Sequence, residues 1–222
     1  MLVKQFTRDD IEPLQSSSTV EEALSRMEEF EVDHYPVVNE ESGNLQGMVS
    51  RSELESHADL QSAVQQLYSQ KKISVEESKH IFEAIRLVLK HEVRQLAVID
   101  AEKVYKGLIR KQEIMEALSG LLNLQELGSI LTIEMEQYDY TLTKLIELIE
   151  TEGAKILGLA VETPTGQDNR FRVSIKLNTQ KTGNVTATLR RFGYHITTDT
   201  ENDYSEIDYQ SRASELLHYI DM

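Results

Sequence analysis

Gly47-Met48-Val49-Ser50-Arg51-Ser52-Glu53-Leu54 returns, altered, sixty residues later as Gly107-Leu108-Ile109-Arg110-Lys111-Gln112-Glu113-Ile114. Each stretch runs glycine, two strand-forming apolar residues, a polar position, and a carboxylate three further on. The residues before the first stretch supply its context. Thr19 with Glu22 three on is a capping-box signature for a helix start, and Ala23, Leu24, Met27 and Phe30 recur at helical spacing. Tyr35-Pro36-Val37-Val38 is a short β-rich run, followed by a turn at Glu41-Ser42-Gly43-Asn44 and then by Leu45 to Ser50. Two such runs with a glycine-containing link predict a β-hairpin. Ser50 to His57 reads as helix again, so the unit is helix, strand, strand, helix.

That unit occurs twice. Ile81, Ala84, Ile85, Val88, Val93, Ala97, Val98 and Ile99 fall 61 residues after Val20, Ala23, Leu24, Met27, Val32, Pro36, Val37 and Val38. Gly107 falls 60 after Gly47, so the second hairpin is one residue shorter. One such unit leaves a sheet face open that its twin can cover, which gives the duplication a physical sense. Between the copies, Ala58 to Gln70 reads as helix or loop, and Lys72-Ile73-Ser74-Val75 as a short strand leading into the second unit.

The repeat resembles the CBS-domain family, as a tandem pair or Bateman module. The residues that carry it are Thr19 to Leu24, His34-Tyr35-Pro36-Val37-Val38 and Gly47 to Leu54, then Arg94 to Asp100 and Gly107 to Ile114. Ala97 departs from the family's usual proline. The resemblance spans roughly residues 8–120 and sets the pair at 8–122, with copy one about 8–57 and copy two about 71–120. It implies a cleft between the copies that takes adenosine-containing ligands, with a carboxylate accepting from the ribose hydroxyls and a hydroxyl orienting sugar or phosphate. A carboxylate has the acceptor capacity for both hydroxyls. Copy one offers Ser50 and Glu53, where glutamate stands for the family's aspartate; copy two offers Arg110 and Glu113. Two readings of Arg110 stay open. It binds a phosphate, with Lys111, Arg94, Arg51 and His34 as further cationic candidates, or it pairs with Glu113 three residues on as a helix-start ion pair.

From Ser129 the pattern changes. Ile130, Leu131, Ile133 and Met135 suggest a strand, Tyr138 to Thr141 a turn, and Leu142, Leu145, Ile146 and Ile149 a helix stopped near Gly153. Ile156 to Val161 reads as a strand and Thr163 to Asp168 as a hairpin turn. Phe171, Val173, Ile175 and Leu177 alternate as a half-buried strand. Val185, Leu189 and Phe192 make a second helix before Gly193, and Tyr194 to Thr198 a last strand. The order βαββαβ is that of a ferredoxin-like unit, and the class is α+β. Residues 129–200 resemble an ACT domain, which implies amino-acid-like ligands bound at an interface between two copies. Its usual ligand loop would place Asp139, Tyr140 and Thr141 at the ligand, although Tyr140 and Thr141 stand where proline and glycine are customary. A CBS pair followed by an ACT unit resembles the acetoin-utilisation type of bacterial regulatory protein.

In the segment 201–222, Tyr209, Ala213, Leu216, Leu217 and Ile220 follow a helical spacing, which predicts a C-terminal helix. The acids Asp199, Glu201 and Asp203 open like a calcium loop, but Tyr204 and Gln210 occupy the positions that need glycine and glutamate. No metal site is expected. The 222 residues carry 38 acidic and 23 basic side chains, a formal charge of -15, which disfavours nucleic-acid and anionic-membrane surfaces. No cysteine means no thiolate nucleophile and fits a reducing cytoplasm. No apolar run nears the roughly 18 residues of a membrane span, and Met1 to Asp10 lacks a signal peptide's apolar core. The six histidines show no paired-ligand spacing, and no phosphate loop, dinucleotide fingerprint or nucleophile elbow is present.

The expectation is a non-catalytic cytoplasmic regulator, a homodimer with no cofactor. It senses a small molecule, an adenine nucleotide above all, in the CBS cleft. The rival is a ligand-independent dimeric adaptor that regulates a partner enzyme by contact; an enzyme ranks third.

Overall fold

The computed structural model describes residues 1–69, 73–164 and 169–199, and the chain divides into two units, Met1–Leu118 and Ser119–Met222. Copy one of the first unit is β1 (Leu14–Gln15), α1 (Val20–Glu29), β2 (His34–Val38), β3 (Leu45–Ser50) and α2 (Arg51–Glu55). Copy two is β4 (Ser74–Glu76), α3 (Ile81–His91), β5 (Gln95–Ile99), β6 (Tyr105–Arg110) and α4 (Lys111–Leu121).

Each copy therefore opens with a short strand, which corrects the four-element expectation. β1 lies parallel to β2 with Leu14 beside Val37, and β4 parallel to β5 with Ser74 beside Ala97. Two residues are too few to show alternation, so β1 leaves no periodic signal. The strand expected at Lys72 to Val75 runs Ser74–Glu76, and Lys72 lies outside the described residues. From Ala58 to Ser69 there is no α-helix; the only regular element is a 3-10 turn, Val64–Gln66, whose Val64 is buried.

Local chemistry explains the helix starts. The Thr19 hydroxyl oxygen accepts from the Glu22 N–H at 3.1 Å. The return half of the expected capping box is not formed, because Glu22 pairs with Arg26 at 3.0 Å. His80, at the matching place in copy two, caps α3 by accepting from the Phe82 N–H at 3.3 Å. The hairpins pair in equivalent register, Pro36 with Met48 and Ala97 with Leu108, and both shift register at the same point, after Val37 and after Val98.

The copies meet about a pseudo-twofold axis, so equivalent residues touch one another. Arg94 pairs with Asp33 at 2.7 Å, Gln95 donates to the His34 carbonyl, and Asn44 and Val104 form an antiparallel bridge. One apolar cluster is built on copy one but includes Ala97 and Leu108 of copy two. A second cluster holds the α3 face, Leu96, Val98 and Ile109 of copy two together with Val3. Val3 belongs to a 3-10 turn, Val3–Phe6, whose first N–H donates to the Lys79 carbonyl at 2.9 Å.

The second unit has the elements β7 (Ile130–Glu136), α5 (Leu142–Thr151), β8 (Ile156–Glu162), β9 (Arg170–Leu177), α6 (Gly183–Arg191) and β10 (His195–Asp199). The sheet order is β10-β7-β9-β8, all neighbours antiparallel, which is the ferredoxin-like arrangement. Leu131, Ile133, Val173 and Ile175 of the sheet are buried in one cluster with Leu145, Ile149, Val185 and Leu189 of the helices. The α+β class holds for both units. Residues 165–168 of the expected hairpin turn and the expected C-terminal helix in 201–222 lie outside the described residues. Among the described residues no helix is long and apolar enough to cross a membrane.

Candidate ligand sites

Each repeated glycine lets a chain segment lie directly on a hairpin. A Cβ at Gly47 would overlap the Ser69 carbonyl oxygen, and a Cβ at Gly107 would overlap the Arg8 carbonyl oxygen. At each position a connecting segment crosses the hairpin against bare backbone. Arg8 and Leu108 exchange two backbone hydrogen bonds, at 2.8 and 3.0 Å, and the Ser69 N–H donates to the Met48 carbonyl at 2.9 Å. The glycine of the motif is thus explained by backbone approach.

On one side of the seam between the copies lies a cavity of about 180 Å³, lined by His34, Met48, Ser50 and Glu53 of copy one, Ile73, Val93 and Gln95 of copy two, and Ser69. Ser50 is the N-cap of α2, and its hydroxyl accepts from the Glu53 N–H at 3.3 Å. The Glu53 Oε2 takes two bonds back, from the Ser50 N–H at 3.3 Å and the Ser50 hydroxyl at 2.6 Å. The pair is a full capping box. Both bonds fall on Oε2, so Oε1 keeps its acceptor capacity for a hydroxyl of a ligand. The side chains Met48, Ile73 and Val93 give the cavity apolar walls of the kind a flat ring requires.

At the matching place in copy two the carboxylate is already engaged. Glu113 Oε2 accepts from the Arg110 N–H at 2.9 Å, while Oε1 accepts from the Arg110 Nε at 3.0 Å and Nη2 at 2.5 Å. Both carboxylate oxygens are committed, and Glu113 is buried. Beside them Arg8 and Asp10 form their own two-toothed pair at 2.7 and 2.5 Å. Burial pushes the Glu113 carboxyl up, but the Arg110 guanidinium and backbone N–H outweigh it and hold the group below its ordinary value of 4.5. A carboxyl lowered by folding stabilises the protein above its unfolded pKa, and that contribution is lost as pH falls through the lower folded value. Glu113→Gln is therefore expected to cost about 1.5–3 kcal/mol at pH 7. Its deficit against the wild type should narrow as urea denaturation is repeated below pH 4.5; a deficit independent of pH would contradict the assignment.

The remaining cationic candidates scatter. His34 lines the cavity. Arg51 reaches Glu55 at 3.9 Å and the Val32 carbonyl at 3.4 Å. Arg94 is held by Asp33, and Lys111 is exposed at the start of α4. Met48, Ile73, Val93 and Gln95 are cavity residues that sequence reasoning did not single out; Gln95 could have been found, since it stands 61 residues after His34.

The second unit holds a larger groove of about 680 Å³ at the end of β7. Asp139 and Thr141 line it with Glu134, Glu136, Lys144 and Arg170, and Phe192 to His195 close the far side. Tyr140 does not line it; its ring stacks on Phe171 with centroids 4.3 Å apart. Glu134 gathers Arg170, Arg172 and His195 at 3.4–3.5 Å, and Lys144 stands over the Phe192 ring at 5.5 Å. The groove therefore offers charges of both signs. Sequence reading found its loop and missed Lys144, Arg170 and His195, which arrive from three other elements.

The first unit is similar to known proteins. The CBS domain family matches residues 3–58 and 64–120. A CBS domain pair/ACT domain protein from Thermotoga maritima is 32% identical, with a TM-score of 0.50 over 53% of this chain and 96% of that one. CBSX2, solved in complex with AMP, is 23% identical, with a TM-score of 0.47 over 56% and 98% of the two chains. The CBS domain pair of protein MJ0100, solved with 5′-methylthioadenosine and S-adenosyl-L-methionine, is 19% identical, with a TM-score of 0.46 over 54% and 97%.

Proposed function

Since the chain belongs to the CBS-domain family, as a tandem pair, we propose that it is a non-catalytic regulatory protein sensing an adenosine-containing metabolite, an adenine nucleotide above all. The observation that carries this reading is the asymmetry of the seam. The cavity beside Ser50 and Glu53 keeps a carboxylate oxygen for the ribose, while Arg110 consumes both oxygens of Glu113. One ligand per chain is the consequence. A volume of about 180 Å³ suits the base and part of the ribose, and it lies below the roughly 300–1,000 Å³ of sites that enclose a whole small molecule. The phosphates would then stand at the mouth of the cavity, and of the cationic candidates His34 is the one among its lining residues.

In this reading the second unit is an ACT-like domain, and the protein acts in the cytoplasm as a homodimer, with the order of domains of acetoin-utilisation-type regulators. Binding at interfaces shifts how subunits pack, which is how the signal leaves the site. A second reading has a specific observation behind it. The pairing of Glu113 with Arg110 and the Tyr140 ring stacked on Phe171 both favour an adaptor that regulates a partner enzyme by contact without a ligand.

Thermal melts against AMP, ATP, S-adenosylmethionine and a set of amino acids separate the two. A ligand at 100 times its Kd adds about 2.7 kcal/mol, an easily read shift. The expected result is a shift with an adenosine compound that disappears in the Ser50→Ala, Glu53→Ala double variant. A flat panel favours the adaptor, and a shift that survives both substitutions places the site elsewhere. A shift with amino acids alone assigns sensing to the groove of the second unit.

A further inference from the structure

Among the described residues that line the cavity beside Ser50, Gln95 is the one polar side chain brought by copy two. It opens β5 and is only 5% accessible, and burying an amide is costly unless its polar atoms find partners. One of them does: Nε2 donates to the His34 carbonyl of copy one. A carbonyl only accepts, so the amide must face it with its nitrogen, and that partner fixes which way the side chain is turned. Oε1 has no partner among the described residues, yet it is not sealed off from solvent. The cavity that Gln95 lines is where it opens.

We propose that Gln95 selects the base: Oε1 accepts from the exocyclic amine of adenine, and the remaining Nε2 hydrogen donates to the ring nitrogen beside that amine. The inference rests on the adenosine reading of this cavity and assigns the selection to one side chain. A carboxamide presents an acceptor and a donor side by side, which is the complement of adenine's amino edge. Hypoxanthine and guanine carry an oxygen where adenine carries the amine. A glutamine free to turn its amide over would meet that oxygen with its nitrogen. Gln95 is not free, because turning over would set Oε1 against the His34 carbonyl, two acceptors with no proton between them. The Ser69 hydroxyl, also in the lining, rotates to give or to accept and so distinguishes neither base. The partner that holds Gln95 belongs to the other copy, so the selection is a property of the assembled pair.

Isothermal titration of the full chain with AMP, IMP and purine riboside 5′-monophosphate, which lacks the amine and keeps the ring, is the test. AMP is expected to bind more tightly than either by a factor of about ten or more. In Gln95→Met, close in volume and unable to pair, both ratios should fall below about three, with most of the loss falling on AMP. A glutamine that only held the two copies together would weaken all three ligands in proportion and leave the ratios standing. Circular dichroism checks that the variant is folded, Gln95→Leu repeats the measurement if it is not, and the wild-type ratios decide the matter if neither folds. Equal binding of the three compounds by the wild type, or ratios that survive the substitution, overturns the proposal. Those outcomes leave the adenosine reading in place. Binding of none of the three overturns the proposal too, and if the melts are also flat across the adenosine compounds, the adenosine reading falls with it.

Discussion

Gly107→Ala is expected to lower the stability of the protein by about 3–5 kcal/mol, the sum of backbone strain and overpacking against backbone. Gly107 has a φ of +141°, which a residue with a Cβ rarely adopts, and the added methyl would drive into the Arg8 carbonyl. That carbonyl cannot retreat cheaply, because it accepts the Leu108 N–H at 3.0 Å while the Arg8 N–H donates back at 2.8 Å. Gly47→Ala is the built-in comparison. It meets the Ser69 carbonyl in the same way but has no left-handed φ, so about 1–3 kcal/mol is expected there. The chain has no tryptophan, so urea denaturation followed by far-UV circular dichroism is the suitable measurement. A loss below about 1 kcal/mol at Gly107 would mean that the crossing segment is not held as described.

Leu108→Ala should cost a similar amount, about 3–5 kcal/mol, for a different reason. Leu108 is fully buried and belongs to the cluster built on copy one, although it is a residue of copy two. Its neighbour Ile109 faces the other way, into the core of copy two. Truncating Leu108 removes transfer free energy and leaves a cavity in the cluster that both copies share, beside its cross-strand partner Ala97. The cavity at Ser50 draws its walls from both copies, so Leu108→Ala should also weaken any shift seen in the ligand melts. A mild loss, near the 1 kcal/mol typical of arbitrary substitutions, would show that the copies do not share a core.

Much of the fold was legible along the chain because it is periodic. Eight apolar positions in a 61-residue register, a glycine in each hairpin, and alternation from Phe171 to Leu177 are all signals between residues near in sequence. The ferredoxin-like unit was readable for the same reason, since its helices and strands each span at least five residues. β1 was not legible, because Leu14 and Gln15 become a strand only by pairing with Val37 and Val38. Nor was the role of Val3, which is buried by residues more than seventy positions away.

The site divides along the same line. Ser50, Glu53, Arg110 and Glu113 could be picked out as a repeated pattern, and the alternatives for Arg110 could be stated. Which oxygens of each carboxylate stay available could not be known before the side chains were placed. By itself the sequence determined that a unit is duplicated, that its two motifs have diverged at Ser50 and Arg110, and that a βαββαβ unit follows. Tertiary structure alone decided that the motif glycines serve crossing backbone, that Glu113 is wholly taken up by Arg110, and that Ile73, Val93 and Gln95 complete the cavity beside Ser50. The physical reason is range. Periodicity records the burial of a face, which each residue expresses through its own type. A hydrogen bond or a cavity wall depends on where two distant segments come to rest, and no single segment encodes that position.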